Sequence, residues 1–100
     1  MTDRKIIEEL VDAELAEANK DYPLFHSPHE AYGVLLEEVE ELVEAVEVIK
    51  THTAKMWDMI RQDASIVHEK KKIHYWAIEA TREAIQVAAM CDKITQSDLR

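Results

Sequence analysis

The sequence predicts an all-α protein: a helical bundle of two long antiparallel helices preceded by a short N-terminal one. Three observations carry this expectation. Glycine occurs once, at Gly33, and proline only at Pro23 and Pro28, so the turn-forming residues that many short strands require are missing. Apolar residues recur at alternating spacings of four and three over most of the chain, the period of a helix that buries one stripe. The stretch "SPHE" at residues 27 to 30 is a helix start, with Ser27 at the N-cap, Pro28 at the first helical position and Glu30 placed to complete a capping box.

The first helix is expected from about Asp3 to Asn19, capped by Thr2 or Asp3, with Ile6, Ile7, Leu10, Val11 and Leu15 on its apolar face. "DYPLFHS" then breaks the pattern: Pro23 disfavours helix at Tyr22, while Leu24 and Phe25 are expected to pack back onto the core. The second helix spans about residues 28 to 62, its seam formed by Leu35, Val39, Leu42, Val46, Ile49, Met56 and Ile60 with Thr53 in the remaining place. "THT" at 51 to 53 has poor helix propensity. The seam nevertheless runs through it and predicts one continuous helix, a bend or end at that point being the alternative. The third helix begins near Asp63 to Ser65 and runs to about Thr95, with a seam of Ile73, Ala77, Ala80, Ala84, Val87, Cys91 and Ile94. Its alanines let two helix axes approach closely. One domain of 100 residues with two long helices encloses little core alone, so a four-helix core completed by a second subunit is expected, in a homodimer or homotetramer.

The formal net charge of -9 argues against a nucleic-acid partner, because a phosphate-binding surface carries a basic excess. The one basic run is Lys70 to Lys72. No run of 18 apolar residues could cross a bilayer and the N-terminus lacks the pattern of a secretory signal, so no membrane partner and a cytoplasmic location are expected. Cys91 stands alone, which excludes an internal disulfide and a CxxC site, and reads as a small core residue. His26, His29, His52, His68 and His74 are too scattered for a zinc site, and no GxSxG, P-loop or Ser-His-Asp constellation supports covalent catalysis.

The run "LLEEVEELVEAV" at 35 to 46 sets five glutamates among seven apolar residues. At about 100° per residue, Glu37, Glu40 and Glu44 point away from the seam, whereas Glu38 lies about 60° and Glu41 about 120° from it, on one side. On the third helix, taking Ala80 as zero, Glu83 lies about 60° and Gln86 about 120° from the seam, with Glu79 between them in phase. Antiparallel packing would bring Glu38, Glu41 and Glu83 to one cleft. Such carboxylates repel unless protons or cations intervene, and hard oxygen donors suit Mg²⁺, with Mn²⁺ as a substitute. The competing reading makes every glutamate part of a solvated face.

"EEVEEL" followed by "EAIQVAAM", with "FHSPHEAYGVLLEEVEEL" leading into it, resembles the MazG-like all-α nucleoside triphosphate pyrophosphohydrolase superfamily, whose pattern is ExxE on one helix and ExxD on the next. The resemblance covers roughly residues 20 to 95. It implies that Glu38 and Glu41 are the ExxE pair and Glu83 the first residue of ExxD, catalytic groups that hold Mg²⁺. Gln86 stands where the family has Asp, a neutral amide offering a metal one carbonyl oxygen and no charge. Glu79 could then supply the missing carboxylate. The interval between the two motifs is longer than is usual in the family. The implied substrate is a nucleoside triphosphate cleaved between its α and β phosphates.

Phe25, His29, Tyr32, Trp57, Tyr75 and Trp76 offer the flat walls a base would need, and Arg82, Lys93 and Lys70 to Lys72 are candidate phosphate contacts. Two rivals stand beside the enzyme. One is a MazG-like fold that binds nucleotide or metal with little turnover because of Gln86; the other is a helical interaction protein.

Overall fold

The computed structural model describes residues 2–22 and 24–99, which form three helices: α1 (Arg4–Ala18), α2 (Pro28–Arg61) and α3 (Val67–Gln96). No strand occurs among them. Tyr22 is non-helical, as expected, while Pro23 itself lies outside the described residues. Asp3 caps α1, its carboxylate accepting from the Lys5 N–H at 2.9 Å. Ser27 caps α2 by accepting from the Glu30 N–H at 3.1 Å, while the Glu30 carboxylate accepts from His26 N–H at 3.4 Å instead of from the cap itself. Helix α2 passes unbroken through Thr51 to Thr53, where the Thr53 hydroxyl donates to the Ile49 carbonyl at 2.8 Å. The connection from α2 to α3 turns at Asp63, whose φ of 55° is a left-handed conformation that Asp tolerates. So short a connection makes α2 and α3 antiparallel neighbours.

Helix α1 packs along α3 and not along α2. The core sits where all three come together, around Val11, Leu15, Phe25, Ala31, Ala89 and Met90. The rest of the α2–α3 hairpin projects beyond it. The molecule is accordingly long, 56 × 28 × 21 Å, with a radius of gyration of 17.3 Å, against about 13 Å for a rounded domain of this length.

The contact line between α2 and α3 departs from the expected seam at several of its alternate positions. Leu35, Val39, Leu42, Ile49 and Met56 are half-buried as expected, but Glu38, Ala45, His52 and Met59 share the line with them, and Val46, Thr53 and Ile60 are exposed. On α3, Ile73, Ala80, Val87 and Ile94 hold, with Glu69, Trp76, Glu83 and Met90 between them, while Ala77, Ala84 and Cys91 face outward. Cys91 is therefore exposed and not a core residue. Both helices carry apolar residues over an arc wide enough for two stripes, and hydrophobicity favours the stripe without charges. The fold buries the other because its polar members find partners across the seam.

Two further expectations are corrected. Ile6, Ile7 and Leu10 of α1 are exposed, since only the edge of α1 carrying Val11 and Leu15 meets α3. Phe25 is buried as expected, but Leu24 is 49% exposed.

Candidate functional site

Glu38 and Glu41 on α2 face Glu83 on α3, and one carboxylate oxygen from each lies within 4.8 Å of the others. Glu38 and Glu83 belong to the buried line and are half-buried, whereas Glu41 is exposed, one turn along. Burial, and next the charges of Glu41 and Glu37, hold the Glu38 carboxyl above the usual carboxylate range; the hydrogen bond with Glu83 opposes this. Glu41 is also raised, first by its hydrogen bond with Glu83 and then by the charge of Glu83. Glu37, Glu40 and Glu44 are exposed.

Gln86 takes a role different from the expected one. Its amide faces two carboxylates, so the nitrogen must be the end that meets them, donating to Glu38 Oε2 at 2.6 Å and to Glu83 Oε2 at 3.1 Å. As folded, Gln86 is a donor that relieves carboxylate repulsion, not an oxygen ligand. To offer its oxygen it must turn the amide over. Glu79 lies outside the group: the Arg82 guanidinium binds it at 2.9 and 3.1 Å. The sequence reading missed Glu14, which reaches the neighbourhood from α1 and whose charge acts on Glu38. Its phase between Val11 and Leu15 was the available signal.

No family model, curated protein or solved structure matches this chain. The chemistry of the site therefore rests on its own geometry. The donor set fits a hard divalent cation: octahedral Mg²⁺ places its oxygens about 2.1 Å away, hence about 3 to 4 Å from one another.

A cavity of about 820 Å³ opens between α1 and α2 beside the carboxylates, and Glu38 and Gln86 line it. Phe25 and Lys93, both expected substrate contacts, line it together. Lys93 is only 5% exposed, with its ammonium 4.8 Å from the centre of the Phe25 ring. The other candidates fall elsewhere. His29 and Tyr32 share a shallow depression with Pro28 on the outer side of α2, Arg82 is exposed and paired with Glu79, and Trp57 and Tyr75 lie on the surface.

A second polar pair was not anticipated. The imidazole Nδ1 of His52 meets Glu69 Oε2 in the buried α2–α3 line, with His68 edge-on to His52 at 6.2 Å. The hydrogen bond from His52 is the first cause of a lowered Glu69 pKa. His52 and Glu69 lie 14 residues from Glu38 and Glu83 respectively, two heptads or about 21 Å along the axes. Both polar pairs therefore obey one antiparallel register.

Proposed function

We propose that this chain is a Mg²⁺-dependent nucleoside triphosphate pyrophosphohydrolase, active also with Mn²⁺, that releases pyrophosphate and a monophosphate. The observation carrying this reading is the meeting of Glu38, Glu41 and Glu83 from two helices beside a cavity large enough for a nucleotide. Supporting it is the resemblance of the two motifs to the MazG-like pattern. Mg²⁺ bound by the carboxylates would neutralise phosphate charge and activate water. The chain's own part is to fix three carboxylates on two rigid helices and to supply a proton acceptor. Glu38 suits that role by position, since it belongs both to the carboxylate group and to the lining of the cavity. In the reaction, water oxygen bonds to the α phosphorus, the bond to the α–β bridging oxygen breaks, pyrophosphate leaves with that oxygen, and the water proton passes to the carboxylate.

An oligomer belongs to the same proposal, with a second copy covering the apolar residues that α2 leaves exposed. Gln86 favours one other reading. A donor bridging Glu38 and Glu83 stabilises the cleft without metal, as suits a protein that binds nucleotide with little turnover. A pyrophosphate-release screen over canonical and modified nucleoside triphosphates, with Mg²⁺ and with Mn²⁺, tests both. Release that disappears in Glu38→Gln and Glu83→Gln supports the enzyme. Nucleotide binding without release supports the binder.

A further inference from the structure

We infer that the cavity between α1 and α2 is a nucleobase subsite in which Lys93 recognises an oxo group on the base, the phosphates leaving it past Glu38 and Gln86. The inference rests on the nucleotide reading above and adds the chemical class of base.

Charge decides which part of a nucleotide enters. Four carboxylates line the cavity, from Glu14, Asp21, Glu30 and Glu38, against one lysine, Lys93. A phosphate placed there would meet a net negative wall, whereas a neutral heteroaromatic ring would not. Most of the remaining lining is apolar, including Phe25, Val34 and Met90.

Lys93 supplies the recognition. It is 5% exposed and forms no salt bridge among the described residues; Phe25 covers one side of its ammonium. An ammonium carries three donors and no acceptor, and Lys93 donates to no group among the described residues, so those donors are available to a ligand in the cavity it lines. The ring face satisfies one direction only. The floor is also held in place: Phe25 N–H donates to Ser97 Oγ at 2.9 Å, and the Ser97 hydroxyl donates to the Lys93 carbonyl at 2.8 Å. The loop carrying Phe25 and the turn carrying Lys93 are thereby locked together.

A donor-only group at the floor selects a carbonyl oxygen. Guanine, hypoxanthine, cytosine and uracil present one; adenine presents only ring nitrogens and an amino group that is itself a donor. The carboxylates at the walls can accept the N–H groups of the same bases. Oxo bases are thus preferred over adenine.

Inosine and adenosine differ in this edge and little else, and neither has a phosphate. Titrating each into metal-free protein, followed by amide NMR, should shift signals around Phe25 and Lys93, with inosine binding about tenfold or more tightly, the effect of one hydrogen bond to a charged group. In Lys93→Met, checked for folding by circular dichroism, the two nucleosides should bind alike, with adenosine affinity close to that of wild type. Equal binding of the two nucleosides by wild type would overturn the inference, and that comparison needs no variant. So would absence of nucleoside binding at millimolar concentration. Pyrophosphate release with no nucleoside preference would leave the enzyme proposal standing and remove the base subsite. The preference without any release would do the reverse.

Discussion

With its amide nitrogen turned toward Glu38 and Glu83, Gln86 provides donors that an aspartate could not. The two residues should therefore trade metal-free stability against metal affinity. Gln86→Asp adds anionic oxygen, and we expect it to lower the melting temperature in chelator while tightening Mg²⁺ binding about tenfold, measured by calorimetry. Glu38→Gln should weaken binding, and Glu79→Gln should leave it unchanged because Arg82 already holds Glu79. The pH dependence follows from two carboxyls of opposite sign. The pKa of Glu38 is raised, so its contribution to stability is full below the ordinary carboxylate range and is lost as pH rises through the raised value. The pKa of Glu69 is lowered, so its contribution is full above that range and is lost as pH falls through the lowered value. Melting curves from pH 4 to 8 in chelator should accordingly show Glu38→Gln gaining relative to wild type toward neutrality. Glu69→Gln should lose relative to wild type over the same interval.

At the scale of elements, the start of α2 and the register of the hairpin are separate problems with separate tests. Ser27→Ala removes the N-cap acceptor for Glu30 N–H, and should cost about 1 kcal/mol in denaturant unfolding. The His52–Glu69 pair answers to a different balance. Replacing His52 alone with Leu leaves the Glu69 carboxylate in the buried line without its partner and should lower the melting temperature. Replacing both with Leu should bring stability back to that of wild type or above, since an apolar pair packs there without desolvating charge. A double variant less stable than His52→Leu would mean that the pair is worth more than the packing that replaces it. The cap was legible because Ser27, Pro28 and Glu30 are adjacent in sequence. The pair was not, because His52 and Glu69 are 17 residues apart and meet only after the hairpin closes.

At the scale of the whole molecule, the apolar surface of α2 is the outstanding feature. Tyr32, Leu36, Val43, Val46, Trp57 and Ile60 are all at least 40% exposed, and all fall on one run of four-three spacing that α3 does not reach. The proposed oligomer would cover this surface, since large exposed apolar patches are where partners dock. If a second copy covers it, Val43→Glu combined with Val46→Glu should reduce the mass found by light scattering to that of one chain, with helix content retained. A wild-type chain that remains monomeric at tens of micromolar would remove the oligomer from the proposal.

The sequence by itself determined three helices, their limits to within a few residues, the Ser27 cap, and the phase that sets Glu38, Glu41 and Glu83 toward one cleft. Each depends on neighbours within a few positions along the chain. Tertiary structure decided which of two apolar stripes became the buried one. It placed Glu38, His52, Glu69 and Glu83 in that line, where a reading by hydrophobicity expected Val46, Thr53, Ala77 and Ala84 to share the seam. It also turned the Gln86 amide, drew Glu14 toward Glu38 and opened the cavity floored by Lys93. The physical reason is common to all of these: a charged or hydrogen-bonding side chain is costly in a core until a partner distant in sequence is brought beside it, and only the packed chain supplies that partner.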